Sequence, residues 1–167
     1  MYIVVGLGNP GSEYAKTRHN TGRMAAHFIS DKVSGIKILT PDTYMNKTGS
    51  FVAKAVKSKK AAEKLIVIYD DLDLPLGSIK ISYNRNSGGH RGLESIIKAL
   101  KTKEFIRIRI GISPKKKPSG DTLVEKHILS EFKKPEMEIL KKVFKKVRDA
   151  VEIVVEDGRE AAMAAFN

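Results

Sequence analysis

Residues 4–22, VVGLGNPGSEYAKTRHNTG, pass from an apolar, strand-like start through a glycine-rich turn into a polar run ending in Arg18-His19-Asn20. The segment Gly6-Leu7-Gly8-Asn9-Pro10-Gly11 fits the glycine fingerprint of a dinucleotide-binding turn, in which a helix begins within the motif and aims its N-terminus at a pyrophosphate. Here helical spacing, carried by Met24, Ala25, Phe28, Ile29 and Val33, begins too late for that geometry. It predicts a helix over 21–33 with Asn20 or Thr21 as its N-cap and Gly35 beyond its end. The following strand ends in Leu39-Thr40-Pro41, and Asp42 is poorly placed to hold a ribose. A cofactor cradle is disfavoured, which leaves a plain turn or the rim of an active site.

Working outward, strands are expected at 2–5, 36–39, 65–69, 79–83 and 105–112, the third stopping at Asp70-Asp71. Helical spacing recurs at 47–58, through Leu93, Ile96, Ile97 and Leu100, over 135–157, and in a short helix at 159–166. This alternation predicts an α/β layered fold, a mixed and mostly parallel sheet flanked by helices. At 167 residues, 41% of them hydrophobic, the expectation is a single domain spanning 1–167. No apolar stretch is long enough for a membrane span, and Met1 runs into a strand rather than a signal peptide. Zero cysteines exclude disulfides and cysteine-ligated metals and fit a cytoplasmic protein. No Gly-Lys-Ser/Thr accompanies the Walker B-like "VIYDD", so a P-loop is excluded. Thirty-one Lys and Arg against 19 Asp and Glu give a net charge of +12, which favours a polyanionic partner, nucleic acid first.

Ligand sites in open α/β sheets gather beyond the carboxyl ends of strands. The polar clusters Asn9 to His19, Tyr44-Met45-Asn46 and Asp70 each follow a strand and can converge on one crevice. A histidine oriented by a carboxylate is a natural general base, so His19 and Asp70 form a candidate pair. Asn9 and Asn46 offer amides to a developing oxyanion or to a peptide-like group. With no metal-ligand spacing and no nucleophile elbow, activated water is the expected nucleophile. The plainer alternatives are that the asparagines are turn residues, Asp70 caps a loop and His19 is a surface histidine. Among the remaining histidines, His27 reads as structural and His127 lacks polar company. His90, beyond Gly88-Gly89 at a helix start, suits either anion binding or turn packing.

Six blocks, "VGLGNPGSEYAKTRHNTG", "PDTYMNKTG", "DDLDLPLGSIK", "GGHRGLESI", "RIRIGIS" and "DGREAAMAAFN", occur in the order found in the bacterial-type peptidyl-tRNA hydrolase family, which the chain resembles over nearly its whole length. The resemblance implies a monomeric, cofactor-free enzyme that cleaves the ester between a peptide and the 3′ end of tRNA. It implies that His19 is the base, Asp70 the acid that holds it, and Asn9 the amide that tells blocked from free aminoacyl groups. Tyr14, Tyr44 and Asn46 correspond to contacts with the tRNA end, Met45 lines the same crevice, and Lys80 corresponds to a phosphate contact. His90 and Arg91 fall in the substrate-binding segment. A basic surface of Lys80, Arg85, Lys115-Lys116-Lys117 and Lys126 is expected to steer the acceptor arm.

Two departures stand out. Arg91 occupies a position where the family has asparagine, next to Asn84-Arg85-Asn86-Ser87 in place of a glycine-rich run. Only 26 residues separate His19 from Asn46, so the fold is expected to be shortened after its first helix, with a smaller sheet and an intact site. The alternative is a catalytically weakened RNA-binding protein of the same fold, in which Arg91 has replaced hydrolysis by binding.

Overall fold

The apolar runs of the sequence form five strands in one sheet: β1 (Tyr2–Gly6), β2 (Ile36–Leu39), β3 (Leu65–Pro75), β4 (Ile79–Tyr83) and β5 (Ile106–Ser113). These come from a computed structural model that describes all 167 residues. The spatial order is β2-β1-β3-β5-β4; all neighbours are parallel except β4, which returns antiparallel to β5 on the sheet edge. On that edge the Asn167 amide donates to the Ile81 carbonyl and accepts from its N–H, at 2.7 and 2.8 Å, supplying partners to an otherwise open strand.

Alternation along β3 sorts its side chains into two cores. Ile66 and Ile68 pack with α1 (Thr21–Ile29), α6 (Lys134–Asp157) and α7 (Arg159–Phe166), whereas Leu65, Val67 and Tyr69 face α2 (Thr48–Ala53), α3 (Lys59–Ala62) and α4 (Arg91–Leu100). The result is a single-domain, three-layer α/β fold. No helix is long and apolar enough to cross a membrane.

Several elements differ from the expectation, each for a local reason. The first helix ends at Ile29 rather than 33: the Ser30 hydroxyl bonds back to the His27 carbonyl, and Gly35, at φ +78°, turns the chain into β2. The helix expected over 47–58 stops at Ala53, and Ser58 caps a separate short helix by accepting the Ala61 N–H at 3.0 Å. β3 does not stop at Asp70-Asp71. It continues to Pro75 because Arg109 of β5 neutralises Asp71, and because Gly111 lets the two backbones close; a Cβ there would lie 2.0 Å from the Pro75 carbonyl oxygen. A helix that the sequence reading missed, α5 (Asp121–Ile128), has no fully buried residue and so no clear apolar stripe.

The glycines around the opening segment bring α1 against the sheet. A Cβ on Gly22 would lie 2.0 Å from the Ile68 carbonyl oxygen, and one on Gly6 would lie 2.3 Å from the Gly22 carbonyl oxygen. Both obstacles are backbone and cannot swing aside. Gly22→Ala is expected to cost roughly 1–3 kcal/mol, the usual range for overpacking, read as a lower urea midpoint at unchanged m-value. An unchanged midpoint would show that this approach is looser than the geometry indicates.

Candidate active site

Three clusters that are far apart in sequence meet beyond the carboxyl ends of β1 and β2, where β3 runs on and places Asp70 two residues after Ile68, the last of its residues paired with β1. His19 lies in a 3-10 turn, Arg18–Asn20, held from both sides. Arg18, itself buried, donates to the Ser130 hydroxyl, the Glu131 carbonyl and the Glu136 carboxylate at 2.6–2.7 Å. On the other side, Asn20 stands at the N-cap position of α1 as expected, but its side chain makes no cap bond to the helix. Its amide bridges the backbone of Asn9, accepting the Asn9 N–H and donating to the Asn9 carbonyl, both at 2.9 Å. The Asn9 side chain accepts the Met45 N–H at 2.8 Å and so fixes the loop carrying Tyr44, Met45 and Asn46. The glycine-rich segment thus ties the loops together at the rim of the cavity that Asn9 and His19 line.

Asp70, 4% exposed, receives a histidine from each layer of the fold: His19 Nδ1 at 2.7 Å on one oxygen and His90 Nε2 at 2.9 Å on the other. The His90 tautomer follows from its surroundings. Its Nδ1 accepts the Leu93 N–H at 3.3 Å as the N-cap of α4, so Nε2 carries the hydrogen that Asp70 accepts. His90 therefore packs its turn, and it also completes the carboxylate's hydrogen bonding. On His19, Nδ1 donates to Asp70, which leaves Nε2 with a free lone pair.

These three side chains bring donor atoms within 4.8 Å of one another, a grouping that linear spacing did not reveal. With Nε2 of His90 protonated, the set suits a hydrogen-bonded relay better than a cation, which needs that lone pair.

The charges follow the same geometry. Burial would lower the His19 pKa, but the Asp70 charge and hydrogen bond outweigh it, against opposition from Arg91, and the net value lies above that of ordinary histidine. Burial would raise the Asp70 pKa, yet the two histidines hold it far below the usual carboxylate range. The raised His19 value adds stability below about pH 6.5 that is lost as pH rises through the folded pKa; the depressed Asp70 value adds stability above about pH 4 that is lost as pH falls through its own. The pair therefore supports the fold most strongly on the acid side of neutrality.

A cavity of about 720 Å³ opens over this network. Asn9, Tyr14, Tyr44, Met45, Asn46 and Arg91 all line it together with His19, Asp70 and His90. Tyr14 and Tyr44 meet edge to face, with ring centroids 6.3 Å apart, and Tyr44 is 55% exposed. Tyr69 packs its edge against His90. Lys80 is not brought into the cavity; it is exposed on β4, in register with Arg109. His27 is exposed on α1, while His127 shares a hydrogen bond with the Ile112 carbonyl at 2.9 Å. The sequence reading missed the cavity wall supplied by α5, with Val124 and Ile128, and it missed the Asn9–Asn20 bridge. The polar run Arg18-His19-Asn20 directly ahead of a helix was the available signal for that bridge.

The sequence model of the family described as peptidyl-tRNA hydrolase matches residues 3–167. The chain belongs to that family. The peptidyl-tRNA hydrolase of Thermodesulfovibrio yellowstonii is 41% identical over 192 aligned positions, covering all of this chain and 99% of the relative, and that of Thermotoga maritima is 40% identical over 182 positions, covering 99% and 96%. An alignment of 192 positions against 167 residues means that the first relative carries residues this chain lacks. The crystal structure of the peptidyl-tRNA hydrolase of Acinetobacter baumannii superposes with a TM-score of 0.89 at 30% identity, over all of this chain and 94% of the other. A peptidyl-tRNA hydrolase solved in complex with N-propanol gives 0.90 at the same identity. The peptidyl-tRNA hydrolase fold is therefore retained at the shorter length.

Proposed function

We propose that the cavity over His19 hydrolyses the ester joining a peptide to the 3′ end of tRNA. One observation carries this reading: a histidine whose Nδ1 is bound to a buried carboxylate and whose Nε2 is free, at the cavity of a peptidyl-tRNA hydrolase family member. Water attacks the ester carbonyl as His19 Nε2 takes its proton, and Asp70 stabilises the imidazolium that forms. The same proton then passes to the departing 3′ oxygen. Asn9 and Asn46 present amides to the oxyanion and to the peptide group of the blocked substrate. Met45 packs the cavity floor beside α4, and the exposed Tyr44, braced by Tyr14, offers a stacking face to the terminal base.

The acceptor arm is steered by the basic surface that includes Lys80, Arg85, Lys115-Lys116-Lys117 and Lys126, with no cofactor or metal in the chemistry. The reading places a monomer in the cytoplasm, acting in translation.

The test is release of a labelled N-acetyl-aminoacyl group from tRNA, with free aminoacyl-tRNA as the control. Hydrolysis of the blocked substrate and sparing of the free one is expected. Tight tRNA binding without hydrolysis would instead favour the RNA-binding alternative. Affinity for tRNA is also expected to fall about 50- to 150-fold between about 50 and 200 mM salt for roughly four phosphate contacts. A flat response would contradict the basic surface as the tRNA contact.

A further inference from the structure

Two arginines at the cavity rim have no acidic partner. Arg91 is the first residue of α4 and Arg85 lies in the loop after β4; both are exposed, and both line the cavity. The neighbouring cations of the cavity are already paired, Arg109 with Asp71 at 2.7 Å and Lys117 with Asp73.

The loop that carries Arg85 is firmly built. Arg107 is completely buried with no carboxylate near its guanidinium hydrogens, and it donates instead to the backbone carbonyls of Arg85 and Asn86, the latter at 3.0 Å. Lys103 holds the Asn86 side chain at 3.0 Å, and the Ser87 hydroxyl joins Glu94 at 3.2 Å. With its carbonyl held inward, Arg85 presents its side chain to solvent at the cavity edge. Arg91 follows His90, whose ring lies 4.9 Å from that of His19, and all three residues line the same cavity. An anion held by Arg91 is thereby kept in the cavity over His19.

We propose that Arg91 and Arg85 form a phosphate-binding rim for the phosphodiester on the 5′ side of the terminal ribose of tRNA. The inference rests on the reading of the site given above and adds to it the part of the substrate that sets position. On peptidyl-tRNA the anion nearest the ester is that phosphodiester, separated from it by one ribose. Guanidinium matches phosphate through two parallel hydrogen bonds, which fixes orientation as well as adding affinity. The remaining wall supports this direction of binding. On α5, Asp121 and Glu125 enter no ion pair and stand beside Val124 and Ile128, a surface that repels phosphate and leaves the apolar side to the peptide.

The experiment compares two small esters, an N-acetyl-aminoacyl group on the 3′ oxygen of adenosine and the same group on adenosine 5′-phosphate. For the unaltered chain the phosphate is expected to raise kcat/KM about tenfold, the lower end of the range for charge-assisted hydrogen bonds, as suits exposed groups. In the Arg85→Gln/Arg91→Gln double variant the ratio should fall towards one, and Arg91→Lys should keep part of it. Binding of adenosine 5′-phosphate against adenosine by calorimetry reads the same preference without turnover. Equal handling of the two esters and the two nucleosides by the unaltered chain would overturn the inference, as would an undiminished ratio in the double variant. So would an arginine dependence that follows an acidic aminoacyl side chain instead of the phosphate. Failure to hydrolyse N-acetyl-aminoacyl-tRNA would count separately, against the reading of the site itself.

Discussion

The His19→Ala variant is expected to release N-acetyl-aminoacyl groups from tRNA about 10²- to 10⁴-fold more slowly than the unaltered chain, the contribution typical of a positioned general base. Its tRNA affinity should be nearly unchanged, because His19 is only 7% exposed and offers little surface to a polynucleotide. His90 cannot take over. It lies 4.9 Å from His19, ring to ring, but its Nε2 carries a hydrogen committed to Asp70 and its Nδ1 accepts from the start of α4. The fold should survive as well, since Arg18 and Asn20 keep their own anchors on either side of the substituted residue. The check is a single-turnover rate alongside a tRNA dissociation constant. A rate within tenfold of the unaltered chain would remove His19 from the chemistry, and a matching loss of affinity would make it a binding residue.

Much of this arrangement was legible in the sequence where local pattern and tertiary role coincide. β1, α4, β5 and the α6 stripe of Leu140, Val143, Val147, Val151 and Val154 carry the same periodicity that buries them. The pairing of His19 with Asp70 was legible because His19 follows β1 and Asp70 lies in the parallel strand beside it, just past the residues that pair with β1. What escaped depended on partners distant in sequence. Asp71 reads as the end of a strand until Arg109, 38 residues away, neutralises it and lets β3 run on. Asn20 reads as a helix cap until Asn9 claims both ends of its amide. α5 escaped because a helix lying over a cavity needs only a few apolar contacts. The glycine spacing alone fits backbone approach to a ligand, a reading that the late start of helical spacing already disfavoured, and in the fold Gly6 and Gly22 approach each other and β3.

Asp70→Asn is expected to be nearly as damaging as loss of the base, about 10³- to 10⁴-fold, through the tautomer it imposes. A carboxylate accepts on both oxygens and so satisfies His19 and His90 together. An amide of the same shape accepts on one side and donates on the other. His90 needs the acceptor, because the Leu93 N–H already holds its Nδ1. The new amide N–H₂ then faces His19, which turns to the tautomer with its hydrogen on Nε2, the atom that has to take the proton from water. The double variant Asp70→Asn/His90→Ser, which keeps an N-cap hydroxyl, releases the amide oxygen to His19 and should be faster than Asp70→Asn alone. The pH profile separates this effect from simple loss of structure. In the unaltered chain the neutral base appears only above its raised pKa, so the acid limb of kcat/KM has its midpoint above about 6.5. Without the Asp70 charge, burial and Arg91 both disfavour the imidazolium, and the residual activity of the double variant should show that limb below about 6.5. An Asp70→Asn variant with high activity and an unmoved acid limb would show that neither the tautomer nor the basicity of His19 depends on this carboxylate.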